Sequence, residues 1–562
     1  MLRDEVTRRI EEAARSAQAE GAIPPTALPD VQLERPQRPE HGDYASSLPL
    51  RLKKAAGGPG SPLEIARAIA ARVQTGGPVR EAVAAPPGFV NIFIDERWLQ
   101  AQVDAIVAAG LDYGRLSFGE GVRVQVEFVS ANPVGPLHVG NSRGAVYGST
   151  LAALLEHTGH SVQREYYVND AGTQAETFAR TLYACYQRAA GREVPLPEDG
   201  YPESYMQPLA DEIYRDAGDA YLRPPGEPYP PALRDEGIRR MLASIRADLA
   251  ALRVQYDNWF SERSLFERGS DGSPSQYERT MALLRERGHV VEKDGAVWFT
   301  AADLGEDREN VLVRSNGLPT YFASDIAYHA NKFLVRRFDR VIDIWGADHQ
   351  GHVPRMKSAV AALGIDPDRL TILLYQLVTL KRGGEVLRLS KRAGNIILVR
   401  DVVEEVGADA CRFFFLRNSP GAAMDFDLEL AKRQSDENPV YYVQYAHARL
   451  GSILRNAAEA GVDEANADLA LLTHPAEMTL LRRLVSYPEL IDLAARRLEP
   501  HHLPYFAQDL AADVNGFYRD CRVLGTDIDP RLSAARLRLV RAAKTVLANV
   551  LRLMGMEAPE HM

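Results

Sequence analysis

The segment from Gly121 to Val168 constrains what this chain can fold into more than any other. VRVQVEFV (122–129) alternates apolar and polar residues as a strand does, and a loop rich in Pro and Gly follows. Helical spacing then runs from about Val139 to His157, and SVQREYYV (161–168) alternates again. Strand, helix and strand in that order make a βαβ unit, the seed of a doubly wound parallel sheet. Such sheets bind ligands at the carboxyl ends of their strands, so the chemistry is expected in the loop 130–141.

Around this unit the 562 residues leave room for about three to five domains, at roughly 100 to 200 residues each. Leu2, Val6, Ile10 and Ala13 stand at helical spacing, a Pro-rich connection follows, a helix is expected near Leu63–Val73, and Phe89–Ile94 reads as a strand. Residues 1–110 thus form a small α/β domain. The parallel-sheet domain spans 115–425 with an insertion around 170–260, signalled by the Pro, Gly, Asp and Glu of 190–235. Its strands resume at VIDIW (341–345) and TILLYQLVTL (371–380). From 436 to 562 only helical periodicity remains, as in LLRRLVSYPELIDLAARRL and LRLVRAAKTVLANVLRLMG, so the last quarter is an all-helical domain.

Composition narrows the function classes. Hydrophobic residues at 46% and charged residues at 25% suit large buried cores and exclude wholesale disorder. No apolar run is long enough to span a bilayer, and acidic residues at 4, 5, 11 and 12 argue against a transit peptide, so the cytoplasm is the expected compartment and no membrane partner is expected. Cys185, Cys411 and Cys521 stand too far apart for a zinc knuckle or a disulfide framework. A formal net charge of -10 means that a nucleic acid would be held by local basic patches.

Two segments carry candidate chemistry. The loop Ser130-Ala131-Asn132-Pro133-Val134-Gly135-Pro136-Leu137-His138-Val139-Gly140-Asn141 leads into a helix whose first backbone N–H groups can meet phosphate. Gly140, Gly144 and Gly148 recur every four residues, where either a nucleotide or a neighbouring strand comes close. Neither a P-loop nor a G-x-G-x-x-G fingerprint is present. The second segment holds five cations, Lys381, Arg382, Arg388, Lys391 and Arg392, on a Gly-containing stretch that could neutralise a departing pyrophosphate. Asp348, His349 and His352 lack the H-E-x-x-H spacing or cysteine partner of a zinc site, which favours substrate and structural roles. Tyr441, Tyr442 and Tyr445 either stack on RNA bases or sit in a core; spacing alone does not decide.

The two segments, in this order, resemble the paired signatures of class I aminoacyl-tRNA synthetases. EFVSANPVGPLHVG, YYVNDAG, RSNGLPTYFASDIAYH, GADHQGHVPRM and NGFYRDCRVLG narrow the resemblance to arginyl-tRNA synthetases, and it runs from HGDYASSLPLRL to APEHM, essentially the whole chain. It implies a Rossmann-type catalytic core, an N-terminal domain touching the tRNA elbow and a helical anticodon-binding domain. It also implies ATP as substrate with Mg²⁺, L-arginine, tRNA(Arg), no bound zinc, and a monomer.

Carried over by resemblance, His138, Gly140, Asn141, Ser390 and Lys391 serve ATP, with His138, Asn141 and Lys391 catalytic. Ser130 and Asn132 hold the head of the amino acid, while Glu127, Tyr321 and Asp325 surround its guanidinium, with Asn141 and His349 adding contacts. Tyr321 and Asp325 share a face if 321–331 is helical. Read without the resemblance, Glu127 is a solvent-facing residue of an alternating strand and Tyr321 a core aromatic. The chain departs from the family where Asn141 replaces the second signature histidine and Arg388 the first signature lysine. Asn141 leaves open a catalytically impaired tRNA-binding paralogue, and the His-x-Gly core leaves open another adenylyltransferase.

Overall fold

A computed structural model describes residues 1–36, 38–57, 61–224, 226–387, 397–464 and 467–562. The first helix, Leu2–Ala19, buries Val6, Ile10, Ala13, Ala14 and Ala17, the stripe its spacing calls for. It belongs to a domain with a four-stranded antiparallel sheet in the order Leu33–Glu34, Tyr44–Ser46, Phe89–Ile94, Val79–Ala85.

The central sheet has five parallel strands in the order Leu370–Tyr375, Arg340–Gly346, Arg123–Phe128, Ser161–Val168, Asn258–Ser261. The helix Ser142–His157, which follows the 130–141 loop, is buried along almost its whole length. A Cβ on Gly144 would stand 2.8 Å from the Tyr375 ring, and one on Gly148 would stand 2.2 Å from that of Phe128. Those two glycines therefore let the helix lie against strand ends; neither makes room for a nucleotide.

Two expectations need correction. TILLYQLVTL is not one strand: Leu370–Tyr375 ends in the parallel sheet, and Val378–Arg382 lies in a separate sheet between Glu385–Val386 and Met424–Asp427. At the break Gln376 is held outside the parallel sheet, its carbonyl accepting from the Arg143 guanidinium at 2.9 Å and its N–H donating to the Pro420 carbonyl at 2.9 Å. Interruption of the core also goes beyond 170–260. After the helices Gly172–Ala189, Glu203–Ala217 and Pro231–Ala251, strand Asn258–Ser261 rejoins the central sheet, and a second excursion forms an antiparallel sheet from Val290–Lys293, Ala296–Ala301 and Glu306–Val313.

Among the described residues no strand follows Asp427; the last part is built on helices Pro439–Glu459, Pro475–Val485, Tyr487–Arg497, His502–Asp520 and Pro530–Leu553. It docks on the N-terminal domain through Arg35–Glu489 at 2.9 Å, Arg482–Asp43 at 2.6 Å and the Gln100 amide donating to the Leu472 carbonyl at 2.9 Å. No described helix is long and apolar enough to cross a membrane. All three cysteines are free and buried, and burial pushes Cys185 and Cys521 up to about 11 and Cys411 up to about 12, so they remain protonated thiols.

Candidate active site

The chain leaves the strand Arg123–Phe128 through two consecutive left-handed residues, Val129 at φ 69° and Ser130 at φ 41°. A β-branched residue resists that conformation, so the surroundings must enforce it. They do: the Tyr256 hydroxyl donates to the Phe128 carbonyl at 3.0 Å, the Tyr166 hydroxyl to the Ala131 carbonyl at 2.7 Å, and the Tyr167 N–H to the Ser130 hydroxyl at 3.1 Å. Ser130 in turn donates to Glu127 at 2.9 Å, and the Asn132 amide donates to Gln174 at 2.5 Å.

Further along, this loop pairs with a segment from the second half of the domain. Val139 N–H donates to the Ile397 carbonyl at 3.0 Å and Val399 N–H to that of Leu137 at 3.1 Å, pairing the His138 segment antiparallel with the residues that follow the basic stretch. Arg388, Ser390, Lys391 and Arg392 lie outside the described residues. Of the five cations, Lys381 and Arg382 are already neutralised, by Asp425 at 2.7 Å and by Glu405 at 2.6 Å with Glu429 at 3.2 Å. These pairs are solvent-exposed and link the two cations to the neighbouring sheet and helices.

His138 sits at the N-cap of the turn Val139–Asn141, its Nδ1 accepting from Gly140 N–H at 3.1 Å. That bond leaves the neutral ring's proton on Nε2. Asn141 is half-buried and stands at the N-cap of Ser142–His157, yet its side chain makes no capping bond. Arg143, which the sequence reading passed over, is fully buried and donates to the carbonyls of Gln376 and Ala422 at 2.9 Å and of Ser419 at 2.7 Å.

Beside the loop lies an unusual row of charge. Asp343, Glu127 and Glu165 are register partners on three adjacent parallel strands, so their carboxylates line one face of the sheet. All three are buried, which overturns the solvent-facing reading of Glu127. The opposing cations come from one helix face. Lys332 contacts Glu127 at 2.6 Å and Asp343 at 2.8 Å, Arg336 contacts Glu165, and His329 contacts Asp343 at 2.9 Å. Lys332 and His329 hold Asp343 down to about 2 against the opposing effect of burial.

The same helix, Tyr321–Ala330, presents Tyr321 and Asp325 one turn apart. Tyr321 is 40% exposed, not a core aromatic, and its hydroxyl would lie 3.7 Å from a Cβ on Gly172. Asp325 is half-buried and pushed up to about 6, chiefly by burial and also by Glu127. Glu262, which carries no sequence signal, is buried at 3% exposure and pushed up to about 7 by burial, with Asp325 and Asp170 adding to the shift. Among the described residues neither Asp325 nor Glu262 has an ion-pair partner, whereas Glu127, Glu165, Asp343 and Asp170 all do. Two acids shielded from water and free of ion pairs, with only His329 and Arg355 acting on Asp325 from further away, make beside an exposed tyrosine a site suited to a planar cation. His349 lies at the exposed rim, 3.6 Å from Asp348. Among the described residues the one cluster of three metal-capable side chains is elsewhere, Glu499, His501 and His502, with its two imidazoles stacked at 4.5 Å.

In the C-terminal helices Tyr441 and Tyr445 stack at 5.7 Å and 10°, and Arg449 lies 4.7 Å over the rings of both Tyr445 and Tyr518. Tyr441 also lines a cavity of about 410 Å³ with Lys432, Arg433, Gln434, Gln444 and Met562. Tyr442 is half-buried against the core.

Comparison with known proteins agrees along the whole chain. Residues 2–94 match the arginyl tRNA synthetase N terminal domain, 102–420 the catalytic domain of class I (R) tRNA synthetases, and 443–562 the DALR anticodon binding domain. The chain is 51% identical over 561 residues to an arginine–tRNA ligase of Dehalococcoides mccartyi, covering 100% of this chain and 99% of that protein. It is 48% identical to one of Heliobacterium modesticaldum, covering 96% and 95%. The solved arginyl-tRNA synthetase of Thermus thermophilus superposes with a TM-score of 0.75 at 25% identity, over 99% of this chain and 100% of that one. A methionyl-tRNA synthetase of Mycobacterium tuberculosis, at 14% identity and a TM-score of 0.53 over 77% of this chain, shares the fold. On full-length identity, three matched domains in order and a superposable structure, the chain belongs to the arginyl-tRNA synthetase family.

Proposed function

We propose that this chain activates L-arginine with MgATP to arginyl-adenylate and passes the arginyl group to the 3′-terminal ribose of tRNA(Arg), first to its 2′-hydroxyl. The observation that carries the residue-level reading is the pair of acids without an ion pair among the described residues, Asp325 and Glu262, beside the loop that carries the first signature. Asp325, Glu262, Tyr321 and Glu127 receive the guanidinium side, Ser130 and Asn132 the α-amino and carboxylate head, and His349 the rim. The carboxylate attacks the α-phosphorus in line. His138 Nε2–H, fixed as a donor by the Gly140 bond, meets the phosphates with Gly140 and Asn141. Lys391 and Ser390, with the Mg²⁺ that arrives on ATP, stabilise the leaving pyrophosphate. Catalysis is positioning plus electrostatics, with no enzyme nucleophile and no zinc. Residues 1–110 meet the tRNA elbow, and 436–562 read the anticodon with Tyr441 and Tyr445 as stacking surfaces and Tyr442 beneath them. The enzyme acts as a cytoplasmic monomer.

Arginine-dependent ATP–pyrophosphate exchange tests this reading. Exchange is expected to require both arginine and tRNA(Arg). Exchange without tRNA would refute only the tRNA requirement. No arginine-dependent exchange under either condition would mean an impaired paralogue.

Proton linkage gives a second check. Burial keeps protons on Asp325 and Glu262 up to about 6 and about 7, whereas an unfolded chain releases them near pH 4. The unliganded site therefore loses stability as pH rises from about 4 through those values, and a bound guanidinium restores it. Arginine affinity is expected to rise on the order of tenfold from pH 6 to pH 8, with proton release visible by calorimetry in two buffers. A flat profile would remove both acids from the ligand.

Asn141→Ala separates chemistry from capping. Because its side chain makes no capping bond, alanine is expected to leave thermal unfolding nearly unchanged. It should slow activation by about ten- to a hundredfold if a transition-state contact worth about 1.5 to 3 kcal/mol is lost. Unfolding and exchange measured on the one variant decide the point.

A further inference from the structure

Lys332 is fully buried on a π-helical turn, Asn331–Val335, that continues the helix bearing Tyr321 and Asp325. Such wide turns cost regular geometry and recur at functional sites. Here the Arg336 N–H reaches back five residues to the Asn331 carbonyl at 2.9 Å. The turn leaves the Lys332 ammonium between Glu127 and Asp343 and over the Tyr328 ring at 4.2 Å. Glu127 is thereby held at both oxygens, Oε2 by Lys332 and Oε1 by the Ser130 hydroxyl. Its neighbours in register on either side are acids, Asp343 and Glu165, about 4.8 Å away across the ladder. Burial pushes the Glu127 carboxyl up, and Lys332 is the first influence opposing that shift. Deprived of Lys332, Glu127 would stand between two carboxylates in a dry interior, where taking up a proton or turning away relieves the repulsion.

From this geometry we infer that Lys332 is a positioning residue for the amino-acid site, keeping Glu127 ionised and aimed without itself touching substrate. The inference rests on the reading above that Glu127 faces the bound arginine. An apolar residue in its place would leave Glu127 and Asp343 buried without this cation.

Aminoacylation kinetics of the full-length protein carrying Lys332→Met, Glu127→Gln and both together test it. Each single variant is expected to raise the KM for arginine by about 30-fold or more, with the KM for tRNA within about twofold. The double variant should be no worse than Glu127→Gln alone, because the lysine acts through the glutamate. A folded Lys332→Met enzyme with an unchanged arginine KM, or a double variant whose defect is the product of the singles, would overturn the inference while leaving Glu127 in the site. An unchanged arginine KM in Glu127→Gln would overturn both. Should Lys332→Met fail to fold, Lys332→Met/Asp343→Asn removes one charge of each sign and still strips Glu127 of its cation. A raised arginine KM there supports the inference, and an unchanged one overturns it.

Discussion

Asp325→Asn is expected to raise the KM for arginine by about 30-fold to several thousand-fold while leaving the KM for tRNA within about a factor of two. The size follows from what asparagine changes. It keeps the volume on the helix Tyr321–Ala330 but substitutes an amide, whose NH₂ can face a guanidinium, for a carboxylate that could accept two parallel N–H bonds. Among the described residues the carboxylate forms no ion pair and feels only the longer-range attraction of His329 and Arg355, so its charge is available to the substrate. Glu262→Gln is the companion variant and should move the same constant in the same direction. Aminoacylation measured against arginine and tRNA separately makes the check. An unchanged arginine dependence in both variants would put the guanidinium elsewhere.

The second large effect is expected of Arg143→Met. Methionine fills similar space but removes the donors to the carbonyls of Gln376 and Ala422 and leaves that of Ser419 with the Ala422 N–H alone. These carbonyls belong to residues exposed to solvent, which offsets part of the cost, so a loss of about 1 to 3 kcal/mol is expected in the catalytic domain. Arg143→Lys should fall between, because one ammonium cannot span acceptors placed for a planar fork. Calorimetry should show the transition that arginine and ATP shift moving down, with the others in place. A wild-type transition in Arg143→Met would mean that water satisfies these carbonyls.

What could be read in advance followed periodicity. Val124, Val126 and Phe128 alternate with Arg123, Gln125 and Glu127, which made the first core strand plain, and the i, i+4 spacing of Tyr321 and Asp325 placed them on one helical face. Asp294-Gly295 is a hairpin signal that was passed over; both residues have positive φ, at 53° and 73°, as a two-residue turn between strands requires. Asn258–Ser261 is four residues long, too short for alternation to register. The division of TILLYQLVTL was invisible because apolar content continues through it, and the partners that hold Gln376 at the break, Arg143 and Pro420, are far away in the chain. Glu262 and Lys332 were beyond sequence reasoning for a related reason: a charged residue acquires its meaning from partners brought close by the fold, and neither has them nearby in the chain.

The clamp on Arg143 also bears on the order in which this enzyme comes into being. The first signature loop and its helix are complete in sequence by His157, but the acceptors that pin them lie 233 to 279 positions beyond Arg143. Closing so long a loop is slow compared with forming a helix or hairpin. On the ribosome the nascent chain can therefore fold its N-terminal domain and wind its first βαβ unit well before position 422 of 562 has been made. A chain released early would carry the first signature without the carbonyls that hold its helix in place.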